Sequence, residues 1–450
     1  MTMLIILRII KYDPLVILRR SFMKRIVIFT ILIALALGAQ ESAFTLDWCI
    51  DRALEANYGL SMRREEALRS EWSFRSSLSS FMPAASTRFS WSRSGDDRVS
   101  YGETGLIVSR DHYSTGFSAS QTLFSGGRNI LNTKSARLAR DISRENLSDR
   151  EAELIYNVKG AFFSVIRSKE SAENAKASLE RIEDQYILVL ERDRHGLADP
   201  TEITQIKVSR AQAELAVIQA DNALAKAKES LAMLLSLPLD SDFDLIDSGT
   251  YADAPTLLGE QIRIALENSP QIRQAELAVK RAHLSMMSTW TQYIPGVNAS
   301  YSYSWSGSQW PDDLSAFDDQ ASWSAGISAS WTLFAGTSRI AGIQTANSQL
   351  RDAETNLKLV RQSLEGAVRD AFRRMEEARA RIALADARLD DAKLNEELFS
   401  EKYGLGDCTL LELLQAELSL RQAETEAVNA NFDYNIAIAE LYRLTGSLEY

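Results

Sequence analysis

Cysteine, proline and histidine are all scarce in this chain: 2, 8 and 3 among 450 residues. Two cysteines cannot build a disulfide framework. His112, expected in a loop, His195, at a turn, and His283, on a helix, have no companions at ligand spacing, so neither a metal centre nor a catalytic triad is supported. Catalytic residues, metal ligands and cofactors are therefore all expected to be none. With a mean hydropathy of -0.18, the chain lacks the serial apolar runs of a polytopic helical membrane protein. Its 45% of hydrophobic residues argues equally against disorder.

One apolar run does occur. Lys24-Arg25, the stretch Ile26 to Leu37 and the small pair Gly38-Ala39 read as a secretory signal peptide over residues 1–40, with Met23 as a possible true start. A retained N-terminal anchor is the alternative. The first 40 residues hold six basic side chains and one acid, so the remainder has 44 basic and 60 acidic residues, 44 − 60 = −16. Phosphate recognition needs Lys and Arg to displace counterions, so nucleic acid is not a partner.

What fills the remainder is a duplication. Ala53-Leu54-Glu55 recurs as Ala265-Leu266-Glu267, Phe81-Met82-Pro83 as Tyr293-Ile294-Pro295, and Thr122-Leu123-Phe124-Ser125-Gly126 as Thr332-Leu333-Phe334-Ala335-Gly336. Gly196-Leu197-Ala198-Asp199-Pro200-Thr201 aligns with Gly404-Leu405-Gly406-Asp407-Cys408-Thr409, at an offset of 208 against 212 and 210 earlier. Ordered landmarks at a near-constant offset mark two copies of one unit. The expected units are residues 41–245 and 246–450.

Each unit changes period twice. Val297, Ala299, Tyr301, Tyr303 and Trp305 alternate with Ser300, Ser302, Ser304 and Ser306, and Trp323, Ala325, Ile327, Ala329 and Trp331 alternate with serines in the same way. That is the pattern of strands with one apolar and one wet face. Each run has the length of a tilted membrane-spanning strand, with tryptophans placed for interfacial girdles. Thr87, Phe89 and Trp91, then Tyr113, Thr115, Phe117 and Ala119, repeat the pattern more weakly. The expected hairpins are 84–123 and 296–332, joined by solvated loops at 94–112 and 307–321. A soluble sandwich hairpin is the alternative reading of the alternation alone.

Proline-free stretches follow at 128–194 and 337–403, each long enough as a helix to reach about 100 Å. Leu364, Val368, Ala371, Met375, Ala378, Ile382, Ala385, Leu389 and Ala392 step by four and three, and Leu154 to Val189 do likewise. This sustained period predicts a coiled-coil seam, with alanines allowing close approach. Return helices are expected at 201–236 and 409–445, and entry helices at 47–81 and 257–292. The fold class is therefore mainly α with membrane β: a long coiled-coil helical barrel plus four strands per chain. Four strands cannot close, and an open edge cannot sit in lipid. Two chains would give eight strands and a filled interior; three would give a 12-stranded barrel with a lumen.

The chain resembles the TolC-like outer-membrane efflux proteins across essentially the whole mature sequence. The resemblance is carried by the hairpin-entry prolines Pro83 and Pro295 and by the Leu-Phe-x-Gly strand–helix junctions with Gly126, Gly127 and Gly336. The turn Tyr403-x-x-Gly406-x-x-Thr409-x-x-Glu412 and the repeat ends Leu235-Ser236-Leu237-Pro238 and Leu444-Thr445-Gly446 complete it. It implies a homotrimer in outer-membrane lipid that reaches into the periplasm, where a periplasmic adaptor and an inner-membrane transporter dock. It makes Gly196, Leu197, Ala198, Thr201, Gly404, Leu405, Gly406 and Thr409 adaptor-docking turns at the tip. An acidic periplasmic gate is implied at Glu412, with Gln415 in place of the second acid. Thr204 and Lys207 correspond to these two in the first repeat at the 208 offset, so only one turn is expected to be acidic. Glu412 as a plain helix-start acid is the alternative. The implied function is the exit duct of a tripartite efflux pump or type I secretion system; a non-conducting periplasmic scaffold is the competing class.

Overall fold

A computed structural model describes residues 43–102, 105–246, 255, 257–310 and 321–446. The expected signal peptide lies outside the described residues, as does most of the expected loop at 307–321. The first repeat runs β1 (Ala43–Phe44), α1 (Leu46–Ala56), α2 (Tyr58–Ser77), β2 (Ala84–Gly102), β3 (Gly105–Phe124), α3 (Arg128–Arg194) and α4 (Pro200–Leu235). β4 (Asp244–Leu245) ends the first repeat, and the second runs α5 (Leu258–Asn268), α6 (Pro270–Trp290), β5 (Gly296–Gly307), β6 (Ala321–Ser330), α7 (Ser338–Leu405) and α8 (Leu410–Thr445).

The long helices α3 and α7 contain 67 and 68 residues. Their buried positions, Leu154, Val158, Val165, Ala172, Ile182 and Val189 in one and Leu364, Val368, Ala371, Met375, Ala378, Ala385 and Ala392 in the other, follow the spacing read from the sequence. Each entry helix is broken once. Asn57 leaves the helical region at ψ 123°, accepts the Leu60 N–H at 3.0 Å and donates to the Leu234 carbonyl at 2.9 Å, so one side chain ends α1, starts α2 and holds α4. Ser269 makes the corresponding break, and Pro270 opens α6 at a position that needs no N–H donor.

Those breaks let two shorter helices flank one long one. Cys49, Ile50 and Ala53 of α1 meet Leu231 and Leu235 of α4 against Leu154, Val158 and Phe162, midway along α3. Ala265 and Ile272 meet Ala437, Leu441 and Leu444 against Leu364, Val368 and Phe372 of α7 in the same way. A fully buried Leu, Ile or Phe contributes about 1.5–3 kcal/mol, so these midpoint clusters anchor each unit. The parallel pair β1–β4 closes the first.

The hairpins form one antiparallel sheet in the order β2-β3-β5-β6. Its register puts Phe89, Trp91, Phe117, Tyr301, Tyr303, Trp323 and Ile327 on one face. The serines share the other and bond across strands: Ser86 to Ser118 at 2.9 Å, Ser90 to Ser114 at 2.7 Å, Ser302 to Ser324 at 2.9 Å and Ser304 to Ser322 at 3.1 Å. Two expectations are corrected here. Residues 94–112 are not a loop: β2 and β3 continue to Gly102 and from Gly105, with a register shift between Arg93 and Arg98. A bulge absorbs Gly95, Asp96 and Asp97 while pairing continues beyond them, and His112 lies within β3 opposite Ser92. Nor is Trp305 exposed: it lies on the aromatic face but is 2% accessible, covered by Trp310 at 5.8 Å between ring centroids, whereas Trp323 and Trp331 are exposed.

Between the repeats lies a buried ionic cluster. Glu417 of α8 accepts from Ser178 at 2.6 Å and from Arg181 Nε at 2.9 Å, both on α3, and Arg181 also reaches Glu424 at 3.4 Å. Burial raises the Glu396 and Glu424 carboxyls above the usual range, and neighbouring Glu417 adds to both shifts. Removing one member of a buried pair leaves the other uncompensated. Glu417→Ala is therefore expected to destabilise the chain by about 2 kcal/mol or more. Arg369→Ala, which breaks an exposed pair with Glu365, should cost less than about 0.5 kcal/mol; chemical denaturation in detergent compares the two.

Candidate functional site

Two regions of the fold gather the residues singled out in the sequence: the helical tip and the four-stranded sheet with its helix junctions. At the tip, α3 ends where Gly196 turns at φ 66°, letting the Leu197 N–H reach the Arg192 carbonyl at 2.8 Å. Pro200 opens α4 and Asp199 caps it, accepting the Thr201 N–H at 2.7 Å. In the second repeat the left-handed residue is Gly406, at φ 84°, and the Asp407 N–H reaches the Lys402 carbonyl at 2.9 Å. Gly404 lies inside α7 rather than in the turn.

The repeats are therefore offset by 210 at the tip, not 208: Gly196 matches Gly406, Asp199 matches Thr409, and Pro200 matches Leu410. This changes the residues paired with the gate candidates. Glu412 corresponds to Glu202 and Gln415 to Gln205, so both turns carry an acid at the third helical position, and Thr204 and Lys207 are not the counterparts. Carrying the Leu-Phe-x-Gly offset of 210 through to the tip would have revealed Glu202 from the sequence.

The two acids have different partners. Glu412 is exposed and closes a capping box: it accepts the Thr409 N–H at 2.8 Å, while its own N–H bonds Thr409 Oγ1 at 3.3 Å. The Thr409 N–H, together with the Thr409 hydroxyl that donates to the same oxygen at 2.9 Å, holds its carboxyl below the usual carboxylate range. Gln415 lies exposed one turn on along the same face. Glu202 instead accepts a hydrogen bond from Tyr403 Oη at 3.3 Å, and Arg192 spans the same ring, donating to the Tyr403 carbonyl at 2.9 Å with its guanidinium 4.6 Å from the ring centroid. Burial beside Glu202 pushes the Tyr403 phenol up to about 12. Arg192, Glu202 and Tyr403 thus tie the two turns over a core of Val189, Ile206, Leu410 and Leu413. Beside them a groove of about 620 Å³ lies between α4 and α8, lined by Pro200, Thr204, Val208, Leu411 and Leu414. Leu197, Leu405 and Leu411 are exposed around the tip.

At the opposite end, Pro83 and Pro295 directly precede β2 and β5, where a missing N–H costs the ladder nothing. Gly126 turns the chain from β3 into α3 at φ 66°; a Cβ there would sit 2.9 Å from the Ile294 side chain and 3.0 Å from the Thr291 carbonyl. Gly127 and Gly336 are also left-handed at these junctions. Beyond them the sheet exposes Phe89, Trp91, Trp323 and Ile327 on a single face, more contiguous apolar surface than water tolerates well. No helix among the described residues is long and apolar enough to cross a membrane.

The profile of the outer membrane efflux protein family matches residues 50–236 and again 261–447, one copy per structural repeat. The chain belongs to this family. It is an outer-membrane efflux channel component that extends into the periplasm. This efflux protein is 23% identical over 413 residues to the outer membrane efflux protein BepC of Brucella suis biovar 1, an alignment covering 91% of this chain and 87% of BepC. It is 25% identical over 317 residues to the alkaline protease secretion protein AprF of Pseudomonas aeruginosa, covering 68% and 64%. Its fold matches the crystallised channel CusC with a TM-score of 0.76 at 19% identity, covering 91% and 95%.

The titration of the tip follows from the capping geometry. A carboxyl whose folded pKa is depressed contributes stability that is present above its unfolded value and lost as pH falls through the folded value. The stability gap between the wild type and Glu412→Ala should therefore be constant above about pH 5 and close progressively in more acidic solution. Denaturation across that pH range measures it; a gap independent of pH would contradict the capping role.

Proposed function

We propose that three copies of the chain roll their sheets into one 12-stranded barrel, and that this homotrimer is a passive exit duct for solutes delivered by an inner-membrane transporter through a periplasmic adaptor. The observation that carries this reading is the open sheet: β2 and β6 are its two edges, one face is aromatic and the other is a field of serines. Unpaired edge groups in hydrocarbon cost several kcal/mol each, and pairing β6 of one copy with β2 of the next removes that cost. The aromatic face then meets lipid and the serine face meets water.

The helices supply the rest of the duct. Long seams of small residues suit close side-by-side packing into a tube, and the tied turns form its periplasmic mouth. The apolar groove between α4 and α8, with exposed Leu197, Leu405 and Leu411, suits an amphipathic adaptor segment laid across the tip. Threefold repetition of Glu412 would ring the mouth with carboxylates, with Gln415 one turn further in, while the Tyr403–Glu202 and Arg192–Tyr403 contacts resist separation of the hairpins. BepC is named for efflux and AprF for protease secretion; both are consistent with a conduit whose cargo is set by its partners.

Two experiments test this. Deleting residues 84–123 removes half the sheet, and the expected result is loss of both trimers and membrane insertion by native electrophoresis and fractionation; a periplasmic scaffold would keep its assembly state. In planar bilayers, Glu412→Ala is expected to reduce cation preference, read as a shift in reversal potential under a salt gradient. An unchanged reversal potential would remove Glu412 from the conduction path.

A further inference from the structure

A polar cavity of about 500 Å³ lies at the strand–helix junction, apart from the tip and the sheet edges. The end of β3, the start of β5, the end of β6 and the first turns of α3 and α7 surround it, and its polar lining includes Ser125, Arg128, Gln292, Thr332, Ser338 and Arg339. The left-handed turn at Gly126 sets one wall, because it brings the start of α3 against Thr291 and Ile294. Every lining residue comes from the stretches 112–140, 277–311 and 321–351, and none of these contains an Asp or Glu. Asp141 and Asp352, the first acids along α3 and α7, stand about 20 Å further down their helices. Residues 72–95, which supply the end of α2 and the start of β2, are free of acids as well. In a chain whose residues beyond 40 sum to −16, this junction reverses the sign.

The two arginines are held differently. Arg339 donates to the Thr332 carbonyl, and its guanidinium lies 5.0 Å from the centroid of the Tyr293 ring, which fixes it at the edge of the cavity. That bond uses one of the five N–H donors of a guanidinium. Arg128 is exposed, and its side chain makes no hydrogen bond or ion pair among the described residues. Neither placement serves its helix, since a cation in the first turn opposes the macrodipole and α4 and α8 carry acids there instead.

We infer that this cavity is an oxyanion site in which Arg128 and Arg339 bind a phosphate-type group. Guanidiniums present paired donors that match the oxygens of such a group. The Ser125 hydroxyl accepts the Asn129 N–H at 3.1 Å and keeps its own hydrogen to donate, and the Gln292 amide adds further donors. One chain builds the cavity, so the inference does not require the trimer. Two sources offer the chemistry: a phospholipid headgroup, because the cavity lies where the strands end, and a phosphorylated solute.

Full-length protein in an uncharged detergent is titrated calorimetrically with sodium pyrophosphate, and separately incubated with dioleoylphosphatidylglycerol and weighed by native mass spectrometry for retained lipid. The wild type is expected to bind at least one probe, and R128Q/R339Q to bind it at least about tenfold more weakly. Binding of pyrophosphate alone assigns a soluble ligand and binding of phosphatidylglycerol alone a headgroup; either supports the site, as does binding of both. Failure of both probes with the wild type, or undiminished binding by R128Q/R339Q, overturns it. Arg339 also packs on Tyr293, so R128Q alone, which removes no internal side-chain contact, repeats the measurement if the double variant misassembles. Unchanged affinity in R128Q then overturns the inference in the same way.

Discussion

Everything in this chain is subordinate to two unsatisfied sheet edges. A four-stranded sheet has two outer strands, and in hydrocarbon their unpaired N–H and C=O groups find no water to bond. β2 and β6 are those strands, and the sheet between them presents aromatic side chains to one side and hydroxyls to the other. A soluble protein would blunt such edges with charge, proline or a covering helix; this one places Pro83 and Pro295 only at strand entries. The edges are therefore most economically satisfied by further copies of the chain.

The helical part meets a related constraint by different means. A helix of 67 residues cannot be stabilised by propensity alone, so it must bury a stripe along its length. Here the stripe is shared: each long helix is covered by one short helix over one half and another over the other, with the largest apolar clusters where the short helices meet. Between the middle and the tip the seam thins to alanines, where the Arg181–Glu417 cluster adds polar contacts, and at the tip the Arg192–Tyr403–Glu202 tie lies over a further apolar core. Bulk burial is thus concentrated near the middle and again at the tip, with specific polar bonds added between them and at the tip itself.

Much of this was legible in the residues. The absence of proline and the three-four spacing define α3 and α7, and strict alternation gives the faces of β5 and β6, because both patterns are local. Where the sequence misled, non-local contacts prevailed. Gly95, Asp96 and Asp97 look like a loop, yet cross-strand pairing continues past them with a bulge. The turn glycines suggested an offset of 208, whereas backbone conformation equates Gly196 with Gly406 and so pairs Glu412 with Glu202. Glu417 reads as one more surface acid on a helix rich in them; only the approach of α3 makes it 4% exposed and partnered by Ser178 and Arg181.

The most direct test of the central claim is disulfide trapping across the free edges. With Cys49 and Cys408 replaced by alanine, a cysteine at Ser324 on β6 is combined in turn with cysteines along β2 at 86, 88, 90 and 92, and membranes are oxidised. If β6 of one copy pairs with β2 of the next, at least one combination will yield covalent species that increase stepwise and stop at three chains. Only monomers throughout the series, or ladders that continue without limit, would contradict it.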